Sequence, residues 1–104
     1  MSTQLTLTPG RTADGSTLLT VAGEIDMSNS ASLADAIEGA PAPLVVDLTD
    51  VEYLDSAGIN VLFAHAERIE LIAPPLLRPV LTVSGLARLV TVRPPRPDDG
   101  PVTP

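Results

Sequence analysis

The residues best placed to do chemistry are an aspartate and a serine side by side, at the start of the stretch D-S-A-G over residues 55–58. They follow the apolar pair Y-L and precede a run of apolar residues with helical spacing. Such a serine can be a nucleophile, an anion-binding residue, a phosphate acceptor or simply the cap of a helix. We predict Ser56 as the N-cap, with Asp55 adding favourable charge near the positive end of the helix.

A hydrolytic role is disfavoured by the spacing of the candidate groups. A nucleophile elbow requires G-x-S-x-G, and Leu54 stands where the first glycine is needed. The only histidine, His65, is nine residues further along the same predicted helix, about 13 Å away at about 1.5 Å per residue. That distance is too long for a general base acting on Ser56. We therefore predict that the chain is not an enzyme and has no catalytic residue.

Cofactor and metal binding also find little support. Neither G-x-G-x-x-G nor G-x-x-x-x-G-K-[ST] occurs, and the chain has no lysine to neutralise a polyphosphate. The chain also has no cysteine, which excludes thiolate metal sites and disulfides. We expect no cofactor and no metal.

A phosphate on Ser56 is the functional alternative to a purely capping role. The N-terminus of a helix tolerates phosphate, because its free N–H groups and its dipole face the new charge. Gly58, in the first turn, is predicted to leave the helix entrance open to another molecule. With an added charge of about −1.5 to −2 beside Asp55, a partner that fits the unmodified surface would meet unpaired charge, and like charges would be brought together at the interface. Capping and accepting phosphate are compatible roles, because a hydroxyl can cap until it is modified.

Size and charge restrict the class of protein. The 104 residues suffice for one domain, and the net charge is −7. Nine acids and one arginine lie in residues 1–56, whereas residues 57–104 carry four acids and five arginines. This acidity argues against nucleic-acid binding and favours a basic partner surface, although a solvated acidic face explains it equally well. No signal peptide and no apolar run of about 18 residues is present, so we expect a cytoplasmic protein with no membrane contact.

The hydrophobic pattern alternates between strands and helices, which predicts an α/β domain. Expected strands cover residues 4–8, 18–24, 44–48 and 69–73, with a short closing strand around Val90 and Val92. Helices are expected after the cap-rich stretch 26–30, from residue 57, and from about Arg78, because Pro79 is tolerated only in a first turn. The domain should span residues 1–93, and the proline-rich stretch 94–104 should be a disordered tail.

The order of three segments resembles the STAS domains of anti-sigma factor antagonists. The segments are VAGEIDMSNSASLADAI, LVVDLTDVEYLDSAGINVLF and PPLLRPVLTVSGLARLV, within residues 4–93. The resemblance implies a mixed sheet of four to five strands with helices packed on one side. It also implies an intracellular regulator that binds an anti-sigma factor with serine kinase activity. That kinase would inactivate the regulator by phosphorylating Ser56, and a serine phosphatase would reverse the reaction.

The same resemblance assigns a partner-binding set around the acceptor. The aspartate of G-E-I-D, Asp26, is implied to lie beside Ser56 and to help the partner engage it. The full set is Asp26, Asp55, Ala57, Gly58 and Asn60. Asp26 has a second interpretation, in which it only introduces the first helix while Ser28 or Asn29 caps it.

Two departures from the family pattern concern the third helix, its nearby strand and one flank of the partner surface. The stretch AHAERIELIAP passes from helix to strand in fewer residues than in the family pattern, and Pro79 falls where the third helix is normally continuous. The alternative function is a STAS scaffold or interaction subunit of a larger signalling or transporter-associated complex, without a phosphorylation cycle.

Overall fold

The computed structural model describes residues 4–95. Strands and helices alternate in the order β1 (Thr6–Arg11), β2 (Thr17–Ile25), α1 (Ser30–Glu38), β3 (Leu44–Leu54), α2 (Ser56–Ala64), β4 (Ile69–Ile72), α3 (Arg78–Val83) and β5 (Val92–Arg93). Single 3-10 turns occupy Ala66–Arg68, Pro75–Leu77 and Leu86–Arg88. The predicted α/β class is confirmed.

The five strands form one mixed sheet in the order β1-β2-β3-β4-β5. β1 runs antiparallel to β2, and the remaining neighbours are parallel. Parallel pairing places the carboxyl ends of β2 and β3 at the same edge, where Ile25 pairs with Leu54. This edge carries the residues with candidate chemistry.

The core lies between the sheet and its helices. Alternate residues of β2 are buried, as expected for a strand with one face on a core. Apolar residues of α1 and α2 pack against these strand residues in a single hydrophobic cluster. The cluster includes Leu19, Val21 and Ile25 from β2, Leu33 and Ile37 from α1, and Ile59 and Leu62 from α2. The aliphatic core therefore fixes α2 against the strand ends.

β3 is longer than the predicted strand at residues 44–48. It continues through the turn-forming residues Thr49 and Asp50 to Leu54, because β2 keeps pairing with it across two register shifts. Only its first part, Leu44 to Asp47, pairs with β4. The last residues of β3 therefore extend beyond β4 and lead into α2.

The third helix begins at Arg78, as predicted, with Pro79 in its first turn. It ends before Gly85, whose φ of 87° is in the left-handed region favoured by glycine. α2 ends at Ala64, and one 3-10 turn connects it to β4. Of the tail predicted for residues 94–104, the part from residue 96 onward lies outside the described residues.

Candidate functional site

The two aspartates of the predicted site follow neighbouring strand ends. Asp26 comes directly after β2, and Asp55 comes directly after β3. The backbone N–H of Asp55 donates a hydrogen bond to the carbonyl of Ile25 at 3.1 Å. This bond ties the start of α2 to the end of β2 and brings the predicted acceptor region close to Asp26.

The cap of α2 is Asp55, and the prediction of Ser56 as the N-cap is wrong. Asp55 has extended backbone angles, and its Oδ1 accepts hydrogen bonds from the N–H groups of Ala57 at 2.8 Å and Gly58 at 3.2 Å. A carboxylate in this position also interacts favourably with the positive end of the helix. The hydroxyl of Ser56 is therefore not needed to cap the helix.

Ser56 is the first residue of α2, and it is exposed. Asn60 lies four residues later, is also exposed, and shares this face of the helix because residues four apart are neighbours on a helix surface. Asp55 and Ala57 are half-buried. The predicted acceptor therefore lies on an accessible surface together with Asn60.

Gly58 does not contribute to that surface. It is buried, and a Cβ built on it would lie 2.5 Å from Cδ1 of Leu54 and 2.6 Å from Cγ2 of Ile25. The prediction that Gly58 leaves the helix entrance open to another molecule is therefore wrong. Its missing side chain instead allows α2 to approach the ends of β2 and β3.

Asp26 organises the turn between β2 and α1. Its Oδ1 accepts hydrogen bonds from both the hydroxyl and the backbone N–H of Ser28. The Ser28 hydroxyl first, and then the Ser28 backbone N–H, lower the pKa of the Asp26 carboxyl below its usual value. In return, Asn29 Oδ1 accepts from the Asp26 N–H at 3.0 Å, and Asn29 Nδ2 donates to the carbonyl of Glu24 at 2.9 Å.

The interpretation of Asp26 as a residue that introduces the first helix thus has direct support in the geometry. Asn29 is the N-cap of α1 by position, but it makes no capping side-chain bond there. The bonds that Ser28 and Asn29 make to this turn are not among those predicted from the sequence. The D-x-S spacing, which is typical of a side chain bonding to the backbone two residues on, is the signal that could have identified Ser28. Asp26 remains half-buried and ionised at the edge that carries Ser56.

His65 lies at the far end of α2 from Ser56. It is the C-cap residue, with Nδ1 2.8 Å from the carbonyl of Val61 and Nε2 3.1 Å from Glu38 of α1. The histidine thus links α1 and α2. It lies at one end of α2 and Ser56 lies at the other, which agrees with the sequence-based expectation that the two residues are too far apart to form a nucleophile–base pair. Within residues 4–95, no three histidine or acidic side chains are grouped as metal ligands would be. No helix in that range has the length and apolar character to cross a bilayer.

Comparison with known proteins gives a family match over most of the chain. The family model described as "Mlab, STAS domain" matches residues 10–91. The anti-sigma-F factor antagonist RsfB, from two strains of Mycobacterium tuberculosis, is 40% identical over 60 residues. That alignment covers 54% of this chain and 49% of the relative, so the chain spans about half the length of the curated relatives it matches.

Two solved structures agree with this match. An anti-sigma factor antagonist from Mycobacterium paratuberculosis is similar with a TM-score of 0.79 and 31% identity, covering 92% of this chain and 90% of that one. The anti-sigma factor antagonist SpoIIAA in its unphosphorylated form has a TM-score of 0.64 and 19% identity, covering 94% and 100%, a likeness of fold alone. The chain therefore belongs to the STAS-domain family of anti-sigma factor antagonists.

Proposed function

We propose that this chain binds an anti-sigma factor with serine kinase activity, and that phosphorylation of Ser56 by this kinase ends the binding. The observation that carries the proposal is the arrangement at the start of α2. Ser56 is exposed as the first helical residue, while Asp55 supplies the capping oxygen. Modification of the hydroxyl would therefore leave the cap intact.

The cap also determines what an added phosphate would encounter. Asp55 already accepts from the N–H groups of Ala57 and Gly58, so these two donors are not free to neutralise a phosphate. The new charge would instead stand beside Asp55, at the edge that also carries the ionised Asp26. Like charges brought together at an interface cost several kcal/mol, and about 1.4 kcal/mol is a tenfold change in affinity. A phosphate at Ser56 is thus sufficient for a binding switch.

The named relatives support the choice of partner, because they are anti-sigma factor antagonists. On this proposal the chain has no catalytic activity of its own, and it regulates transcription in the cytoplasm by withholding an anti-sigma factor from its sigma factor. A serine phosphatase would restore the free hydroxyl of Ser56.

Phosphate mapping tests the acceptor directly. The chain is incubated with ATP and each purified anti-sigma factor kinase of the organism that encodes it, and the modified residue is identified by mass spectrometry. We expect one phosphate per chain on Ser56, and none in a Ser56→Ala variant. A Ser32→Ala variant is the matched control, because Ser32 is an exposed serine in the first turn of α1. Undiminished modification of Ser56→Ala would refute the assignment.

A Ser56→Asp variant tests the charge mechanism. It should remain folded, because Asp55 still caps α2, and it should bind the anti-sigma factor at least about tenfold more weakly, because the covered surface would then enclose an unpaired carboxylate directly beside that of Asp55. Thr82→Asp, which places the same charge on an exposed residue of α3, should bind like the wild type. Equal affinities of all three proteins would rule out charge repulsion as the cause of release.

A further inference from the structure

Two large apolar side chains near Ser56 are exposed to solvent. Met27 is 82% exposed and Tyr53 is 52% exposed, although both lie next to well-buried strand ends. The other large apolar side chains exposed in the described part of the chain are on later elements and comprise Leu76, Val83 and Leu89.

Chain geometry places both side chains close to the acceptor. Tyr53 precedes Ser56 by three residues, which span at most about 11 Å. Met27 follows Ile25 by two residues, and the Ile25 carbonyl accepts a hydrogen bond from the Asp55 N–H. A standard interface covers about 800 Å² on each partner, equivalent to a disc of about 16 Å radius. The backbone positions of both residues therefore lie within about one such radius of Ser56.

The surroundings of this pair are acidic. Glu24 pairs with Tyr53 across the strands, Glu52 is exposed, and Asp26 and Asp55 are half-buried at the strand ends. The sequence contains no lysine or arginine between residues 12 and 67, so neither β2, β3 nor α2 supplies a positive charge to this edge. A complementary partner surface combines an apolar pocket with basic side chains.

We propose that Met27 and Tyr53 are the apolar anchors of the docking surface around Ser56, and that their partner is the anti-sigma factor, which contacts them through an apolar pocket rimmed by arginine or lysine. This proposal rests on the proposed function, and it specifies which residues supply the affinity for the anti-sigma factor. Methionine and tyrosine are enriched in interfaces, and a few such residues carry most of the binding energy. The acidic rim then supplies attraction and orientation.

Substitution of the two anchors tests this surface. Met27→Gln and Tyr53→Thr are compared with Val83→Thr, a control in which an apolar side chain that is 87% exposed is removed from α3. Binding of the full unphosphorylated chain is measured by calorimetry, with the anti-sigma factor kinase that modifies Ser56 as the probe. We expect each anchor variant to raise the Kd about tenfold or more and the control to change it less than about twofold. Thermal melts that match the wild type establish that the variants are folded.

The outcomes separate the two proposals. If the kinase binds the wild type but the anchor variants bind as tightly as Val83→Thr, the anchor assignment is overturned and the proposed function stands. If no anti-sigma factor binds the wild type or phosphorylates Ser56, the proposed function fails, and the anchor assignment fails with it. A wild-type Kd that stays constant between about 50 mM and about 500 mM salt would contradict the basic rim of the partner, because salt screens attraction between exposed charges.

Discussion

Replacement of Gly58 by alanine tests the packing that positions Ser56. In most helices, alanine in place of glycine is stabilising by about 0.5–1 kcal/mol, since alanine has the higher helix propensity. Here the added Cβ would lie 2.5 Å from Leu54 Cδ1 and 2.6 Å from Ile25 Cγ2, closer than side-chain carbons normally approach. Leu54 can move its terminal methyl, but Cγ2 of Ile25 is attached directly to a Cβ that would itself lie only 3.3 Å away. α2 must therefore shift away from β2.

The magnitude follows from two opposing contributions. Overpacking of a core contact costs about 1–3 kcal/mol, and the gain in helix propensity offsets at most about 1 kcal/mol. Because both contacts would be shorter than 3.0 Å, the overpacking cost lies in the upper part of that range, and we expect a net loss of about 1–2 kcal/mol in the free energy of unfolding. For a domain of this size, that loss lowers the Tm by about 5–10 °C.

Urea denaturation followed by circular dichroism measures this change. The midpoint should fall while the slope m stays constant, because the surface exposed on unfolding is nearly the same. Gly10→Ala is the matched control, since a Cβ at Gly10 meets no atom within 4 Å; its unfolding free energy should change by less than about 0.5 kcal/mol. A Gly58→Ala protein as stable as the wild type, or more stable, would refute the packing argument.

Three further predictions concern stability. Asp55→Ala should destabilise the domain by about 1 kcal/mol, whereas Asp55→Asn should cost far less because asparagine also caps helices; equal losses in urea denaturation would contradict the capping role. The pKa of the Asp14 carboxyl is lowered from 3.8 to about 2, and the largest cause is the hydrogen bond from the Thr12 hydroxyl. The ionised carboxylate therefore contributes stability that is complete above the unfolded pKa and is lost as the pH falls through the folded pKa. Asp14→Asn should thus be less stable than the wild type at about pH 6, with most of that difference gone at about pH 2, and an equal difference at both pH values would disprove the linkage. Arg68 Nη2 donates to the Ala40 carbonyl at 2.7 Å, so Arg68→Met should lose about 1–2 kcal/mol, and an unchanged midpoint would show that this bond contributes nothing net.

The sequence predicts the location of the helix at Ser56 but not the details of its start. An acidic residue and a serine before an apolar helical run indicate a helix N-terminus, and the structure has one there. Aspartate and serine are nearly equal as N-caps. The choice between them depends on the hydrogen bond from the Asp55 N–H to Ile25, which fixes Asp55 at the end of β3. That bond joins residues 30 positions apart, so local preference cannot reveal it.

Gly58 and β3 differ from their predictions for a related reason. From the sequence, a glycine in the first turn of a helix suggests a flexible or open helix start. Gly58 is instead buried, because α2 approaches Ile25 and Leu54 closely. The residue types of Thr49 and Asp50 suggest a turn, but pairing with β2 keeps both residues within a strand of eleven residues. In both places, contacts between distant segments outweigh local preference.

The hydrogen bond between the ends of β2 and β3 limits how far the structural effect of a phosphate on Ser56 would extend through the domain. Both neighbours of Ser56 are held by hydrogen bonds, Asp55 through its own N–H and Ala57 through the Asp55 carboxylate. A phosphate on Ser56 would therefore be flanked on both sides by backbone that these hydrogen bonds already hold. A protein that docks away from the start of α2 would therefore bind the phosphorylated and unphosphorylated forms equally well, and only a protein that covers the phosphate could distinguish them.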